Sequence, residues 1–265
     1  GVNDMLTYID DIENENIKNK TQMMHYVYEI GRKYITSYNG TRNVVDAREE
    51  SQELRKEMNM SPNAHEDVHE AFSALVQSTP EVLDMERFRF TSIVKIQTAD
   101  CAHDSINPEY NNVFRIDSKH LKDTLKESIQ SQMDSLNTLE FIGDWQYDEN
   151  QPRTKGYRST TITDCSEIFI VSLNLFETVM NTGIISTRKI NHSVKIGYED
   201  TYIICGNEYR LVSVIIHIGQ QARLGHYISH CKYEGGSWCT YNDTRVEPGT
   251  DKPLNATPYM FFFKR

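Results

Sequence analysis

The chain has 265 residues and a formal net charge of −10, long enough for one large domain or two small ones with a substantial core. Its acidic balance disfavours nucleic acid as a partner, because phosphate backbones are repelled. No apolar run approaches the length that spans a bilayer, so no membrane association is expected.

Five cysteines, Cys101, Cys165, Cys205, Cys231 and Cys239, are odd in number and irregular in spacing. That usage predicts reduced thiols in a cytoplasmic or nuclear protein. The opening "GVNDMLTYIDDIENEN" lacks a basic segment followed by an apolar one, so no signal peptide is visible.

Taken in chain order, the first third reads as helical. "KTQMMHYVYEIGRKYI" places Met23, Met24, Val27, Tyr28 and Ile30 at helical spacing. "SPNAHEDVHEAFSALVQ" offers Ser61 and Pro62 as a helix start, followed by Val68, Ala71, Phe72, Leu75 and Val76 as one apolar stripe. After about residue 88 the pattern changes to strands, beginning with "FRFTSIVKIQTADC". Residues 119–137 return to a helical pattern through Leu121, Leu125 and Ile129. From 165 onward, "CSEIFIVSLNLF", "EYRLVSVIIHIG", "GHYISHCKY", "SWCTYND" and "PYMFFFKR" predict an antiparallel meander. The run Phe261–Phe263 fits a strand buried on both faces, with Lys264 and Arg265 in solvent. Helices first and strands later predict an α+β protein with segregated layers.

One stretch carries chemistry. His226 and Asn242 are separated by "KYEGGSW", in which Glu234, Gly235 and Gly236 are turn residues. A hairpin turning there brings Asn242 within reach of the His226 ring across the ladder. A side-chain oxygen accepting from one ring N–H fixes the tautomer and leaves the other nitrogen to take a proton from a thiol or hydroxyl. Gly225 before it allows close backbone approach. His226 as an ordinary strand histidine at a sheet edge is the alternative that these residues leave open.

The order of His217, Gly219, Gly225, His226, Tyr227, Trp238, Tyr241, Asn242, Asp243, Tyr259 and Arg265 resembles the C-terminal half of the ubiquitin-specific protease domain, the papain-like deubiquitinase family. "HEDVHEAFSALV" is similar to that family's acidic thumb helix, with Asp67 and Glu70 at the acidic positions. "LNTLEFIGDWQY" and "IFIVSLNLFE" are similar to further family segments. The resemblance implies a papain-like cysteine protease fold: a helical thumb over about residues 1–87, and an antiparallel palm and fingers over about 88–265, in a single domain. It implies His226 as base, Asn242 as its orienting group and Asp243 as an assisting carboxylate. Asp67, Glu70, Gly225 and Tyr227 would bind the ubiquitin tail. The partners implied are ubiquitin or a ubiquitin-like protein, and subunits of a larger assembly.

The same resemblance exposes a gap. The family's nucleophile is a cysteine near the start of the thumb, at a helix N-terminus that lowers the thiol pKa. No cysteine precedes Cys101, and Met5 falls at the corresponding place. A thioether cannot be deprotonated. The family's structural zinc needs two C-x-x-C pairs, whereas Cys101 has only His103 beside it, so no metal or other cofactor is expected. Two functions follow from these residues: a catalytically inactive domain retained for ubiquitin or protein binding, or an active deubiquitinase whose nucleophilic cysteine lies outside this sequence.

Overall fold

The structure is a computed structural model that describes residues 26–27, 29–31, 33, 46–61, 67–78, 85–98, 104–150, 152–181, 184–190, 192–221, 224–232, 236–250 and 256–265. Its helices are α1 (Arg48–Glu57), α2 (Val68–Ser78) and α3 (Leu125–Asn137). Its strands are β1 (Phe90–Thr98), β2 (Ser105–Asn111), β3 (Phe114–Ile116), β4 (Glu140–Trp145), β5 (Thr154–Cys165), β6 (Ile168–Leu173), β7 (Phe176–Asn181), β8 (Ile184–Lys189), β9 (Thr201–Ile204), β10 (Asn207–Gln221), β11 (Leu224–Lys232), β12 (Trp238–Asn242), β13 (Arg245–Pro248) and β14 (Ala256–Lys264). Tyr26, Val27 and 29–31 are helical, while Met23, Met24 and Tyr28 lie outside the described residues.

The chain folds into two compact units, each assembled from segments distant in sequence. The first takes Gly1–Met85, Phe176–Lys189 and Val212–Met260. It holds α1, α2, the β7–β8 hairpin and an antiparallel run in which β13, β12, β11 and β10 are successive neighbours. Helix α2 starts later than Ser61 and Pro62 suggest. Asp67 is the residue that caps it, accepting from His69 N at 2.7 Å through Oδ1 and from Ala71 N through its carbonyl. The stripe from Val68 to Leu75 does lie on this helix.

The second unit takes Glu86–Leu175, Ile190–Leu211 and Phe261–Arg265. One sheet in it has the order β2-β1-β5-β4. In another, β3 runs parallel to β6, and β9 pairs with the start of β10. Phe169 on β6 anchors an aromatic cluster, its ring 5.5 Å from Phe90, 5.6 Å from Phe114 and 6.2 Å from Tyr209. Helix α3 closes one side of this core with Leu125 and Ile129 fully buried. Its N-terminus is fixed by a capping box in which the Thr124 hydroxyl accepts from Glu127 N and the Glu127 carboxylate accepts from Thr124 N. Buried Gln132 accepts from Asp117 N at 2.8 Å, so the polar side of the helix is also tied down.

Strand β14 is buried nearly throughout, with Met260, Phe261 and Phe263 fully enclosed. Tyr259 sits near its middle, and Lys264 is not fully in solvent but pairs with Glu167 at 3.5 Å. Strand β5 is a twelve-residue element that the sequence reading left out. Its apolar positions do not alternate with polar ones: Tyr157 is exposed and stacks edge-on against Phe141, its opposite number on β4.

Phe169→Ala is expected to lower unfolding stability by about 3–5 kcal/mol. Thr124→Ala, which removes only the cap, should cost about 1 kcal/mol. Urea denaturation followed by circular dichroism measures both, and a Thr124→Ala loss as large as that of Phe169→Ala would contradict the assignment of the core to the aromatic cluster.

Candidate functional site around His226

His226 lies on β11 opposite Ile218 of β10. On its other side, the β11–β12 ladder pairs Ser229 with Tyr241. Continuing that register puts Thr244 opposite His226 and makes Asn242 the diagonal neighbour on the same face, close enough for a long side chain to reach. The His226 Nε2 is 2.6 Å from Asn242 Oδ1. An amide oxygen can only accept, so Nε2 carries the hydrogen and Nδ1 keeps its lone pair. Asp243 opens the two-residue connection between β12 and β13 with φ 51°, in the left-handed region where Asp is tolerated. Its Oδ2 is 3.8 Å from Nε2. The His226 side chain is 40% exposed. Of the expected turn, 233–235 lie outside the described residues, and Gly236 adopts φ 87°.

A buried lysine underlies this arrangement. Beyond Ile218 the β10–β11 register slips before Gln221 pairs with Leu224, and Gly219 within the slip has φ 139°. That is a β-bulge next to His226, built on a conformation that favours glycine. Lys189, only 5% exposed, donates from Nζ to the carbonyls of His217 (3.1 Å) and Gly219 (3.0 Å) and to His217 Nδ1 (3.2 Å). The ammonium thereby spans the bulge and sets the tautomer of His217. A ring nitrogen that accepts from an ammonium is unavailable for protonation. Burial, with the Lys189 charge second, holds the His217 pKa down to about 4, against an opposing pull from Asp67. His217 Nε2 is buried with no hydrogen-bond partner among the described residues.

Gly225 packs against that same ring. A Cβ there would stand 2.3 Å from His217 Nε2 and 2.5 Å from the Ile218 carbonyl. The close approach expected at Gly225 is therefore made by the chain's own His217. The Tyr227 ring also packs on His217, with ring centroids 4.9 Å apart, and lies 6.3 Å from Tyr259. Burial pushes the Tyr227 hydroxyl up to about 12. The Tyr259 hydroxyl donates to Asp67 Oδ2. Asp67 thus engages one oxygen with Tyr259 and the other with the start of α2, while Glu70, one turn on, is exposed. Sequence reasoning passed over Lys189, because lysine is almost never fully buried unless paired.

Met5 and Cys101 lie outside the described residues. Among the described residues the polar partners of His226 are Asn242 and Asp243. The Cys231 sulfur faces Ser213 Oγ at 3.3 Å. No group of three or more His, Cys, Asp or Glu side chains among the described residues is placed to hold a metal, and no described helix is long and apolar enough to cross a membrane.

Two measurements test this description. In the unfolded chain His217 titrates near about 6.5, above its folded value. As pH falls, the unfolded state takes up the proton first. The stability that neutral His217 supports is complete above pH about 6.5 and is lost as pH falls toward 4. The denaturation midpoint should fall over that window. Lys189→Met should cost about 1–3 kcal/mol at neutral pH, because two carbonyls lose a buried donor, and, by removing a charge that lowers the His217 pKa, should make the acid loss smaller and complete at a higher pH. An unchanged acid profile would separate Lys189 from His217. Gly225→Ala should destabilise by about 1–3 kcal/mol through overpacking, and a neutral effect in the same denaturation assay would contradict the contact with His217.

The family model described as ubiquitin carboxyl-terminal hydrolase matches residues 2–263. The chain is 36% identical over 55 residues to ubiquitin carboxyl-terminal hydrolase 10 of Saccharomyces cerevisiae, covering 21% of this chain and 7% of that protein. It is 37% identical over 62 residues to the probable ubiquitin carboxyl-terminal hydrolase 16 of Schizosaccharomyces pombe, covering 23% and 14%. The chain therefore spans only a small part of the length of these curated relatives. Among solved structures, a chain of the SAGA DUB module of Ubp8, Sgf11, Sus1 and Sgf73 bound to monoubiquitin superposes with a TM-score of 0.68 at 18% identity, covering 91% of this chain and 58% of that one. The same module bound to ubiquitin aldehyde gives 0.67 at 16%, covering 97% and 63%. The fold is thus α+β, the papain-like arrangement of the ubiquitin-specific proteases, and the chain belongs to the ubiquitin carboxyl-terminal hydrolase family.

Proposed function

We propose that this chain is a ubiquitin-binding domain of the deubiquitinase fold that lacks its own nucleophile and serves as a binding or scaffolding module. The observation that carries this reading is chemical: the base and its orienting amide are assembled, with His226 Nε2 2.6 Å from Asn242 Oδ1, but the place the family resemblance gives to the attacking thiol holds Met5. A thioether has no proton for His226 to remove. In this reading residues 1–265 act as one domain, and the bound group is the C-terminal tail of ubiquitin or a ubiquitin-like protein. Glu70 supplies exposed negative charge toward that basic tail. Asp67 acts alongside it by holding the start of α2, and Gly225 and Tyr227 shape the strand next to the tail. Subunits of a larger assembly are further partners, a reading supported by the multisubunit complexes in which the structural neighbours were solved. The absence of a metal or other cofactor, and residence in the cytoplasm or nucleus, belong to the same proposal.

A second reading rests on the same pair. A partly exposed imidazole with its tautomer fixed and its Nδ1 lone pair unprotonated is suited to act as a general base. Paired with a thiol from outside this sequence, His226 would deprotonate the nucleophile, Asn242 would orient the ring and Asp243 would support the oxyanion or the attacking water. The domain would then hydrolyse the isopeptide bond at the ubiquitin C-terminus.

Isotope-labelled ubiquitin titrated with this chain should show amide shifts at its C-terminal tail and apolar patch. Glu70→Lys should weaken binding threefold or more, on the order of 0.7 kcal/mol. A fluorogenic ubiquitin C-terminal amide should not be turned over. Absence of shifts at high concentration would remove the binding reading. Turnover by a longer chain that carries this sequence together with the thiol, abolished by His226→Ala, would replace it with the second.

A further inference from the structure

In the second unit the structure brings two thiols together. The Sγ atoms of Cys165 and Cys205 are 3.0 Å apart, and both cysteines are free. Neither backbone position is accidental. Cys165 ends β5, paired with Phe90 of β1, and its carbonyl accepts from the Tyr209 hydroxyl at 3.1 Å. Cys205 and Gly206 form the two-residue connection between β9 and β10, with φ 51° and 76°. Positive φ at both positions is what a type I′ hairpin turn requires, and Asn-Gly is its usual filling. A cysteine at the first position is conformationally unfavourable, so its presence there needs a reason that the turn does not supply.

We propose that Cys165 and Cys205 form a reversible dithiol–disulfide couple, oxidised by peroxide, that staples the end of β5 to the β9–β10 turn. A disulfide bond needs a sulfur separation of about 2.05 Å, so each side chain has about half an ångström to move. The two sulfurs differ in the way the chemistry requires. Cys165 is 1% exposed, whereas Cys205 is only partly covered. Cys205 is therefore the sulfur that a small oxidant meets. The hydrogen bond from Cys165 lowers the Cys205 thiol pKa, while the same contact and then burial push Cys165 up. The Cys205 thiolate attacks one peroxide oxygen. The O–O bond breaks, one water leaves after protonation, and Cys205 becomes a sulfenic acid. The Cys165 sulfur then attacks the Cys205 sulfur, the S–O bond breaks, and a second water leaves. Two thiols lose two electrons and two protons, and one peroxide becomes two waters. A small-molecule thiol reverses the bond by exchange.

The chain contains its own control. Cys231 and Cys239 stand directly opposite each other on β11 and β12, but the Cys231 sulfur is turned to Ser213 Oγ. The full chain should be exposed to increasing hydrogen peroxide, alkylated, digested and examined by mass spectrometry. A Cys165–Cys205 cross-linked peptide should appear at the lowest effective dose. The thermal midpoint should rise by about 5 °C or more relative to the reduced chain, and a reducing agent should reverse the rise. Cys205→Asn, which suits the turn, should fold and lose the shift completely. If Cys165 remains alkylatable after unfolding at doses that consume other thiols, the proposal fails. It fails equally if Cys231–Cys239 links first, or if Cys205→Asn keeps the oxidative shift.

Discussion

An ammonium group buried among backbone carbonyls is costly unless its hydrogens are matched. Lys189 meets that condition with the carbonyls of His217 and Gly219 and with His217 Nδ1. Most of the His226 neighbourhood depends on it. The two carbonyls belong to the stretch of β10 where the ladder slips by one residue, so the lysine holds an irregularity that a plain sheet would remove. The slip comes immediately after Ile218, which is the residue paired with His226. The ring bonded to Lys189 is also the ring against which Gly225 and Tyr227 pack. One charge on β8 thus determines the shape of β10 and the packing of β11, although it makes no described contact with His226 itself.

The His226–Asn242 pair adds a second layer of fixity. Asn242 is the last residue of β12, and Asp243 turns the chain immediately after it. The amide that orients the imidazole is therefore anchored by a hairpin rather than carried on a long loop. The result is a partly exposed imidazole with defined tautomer, one residue along β11 from Tyr227, which packs on a second histidine that is kept neutral. The two histidines have opposite situations: one is open and oriented, the other enclosed and used for packing.

The hairpin, its reach from His226 to Asn242 and the buried closing strand were legible in the sequence because they rest on local signals: glycine turns, β-branched runs and aromatic density. The acidic helix was legible too, though its start was misplaced, because Asp67 caps it from a position that looks like surface charge. Lys189 was not legible. Its role depends on carbonyls of residues 217 and 219, and main-chain acceptors leave no mark in composition. Strand β5 was missed for a different reason: "RSTTITDC" has strand propensity but no apolar alternation, since much of its surface faces solvent. Glu70 stays exposed where Asp67, three residues earlier, is drawn inward by Tyr259, a difference that helical spacing alone does not reveal.

That Tyr259–Asp67 hydrogen bond joins residues 192 positions apart. Tyr259 belongs to β14, which is the last strand of this sequence to leave a ribosome and whose neighbour in the sheet is β10. During synthesis the acidic cap of α2 must wait for almost two hundred residues before its partner exists. A contact of that sequence separation is among the last to form in folding as well. The face of β11 that carries Tyr227, against which Tyr259 and His217 pack, therefore gains this contact only once that long separation has been closed.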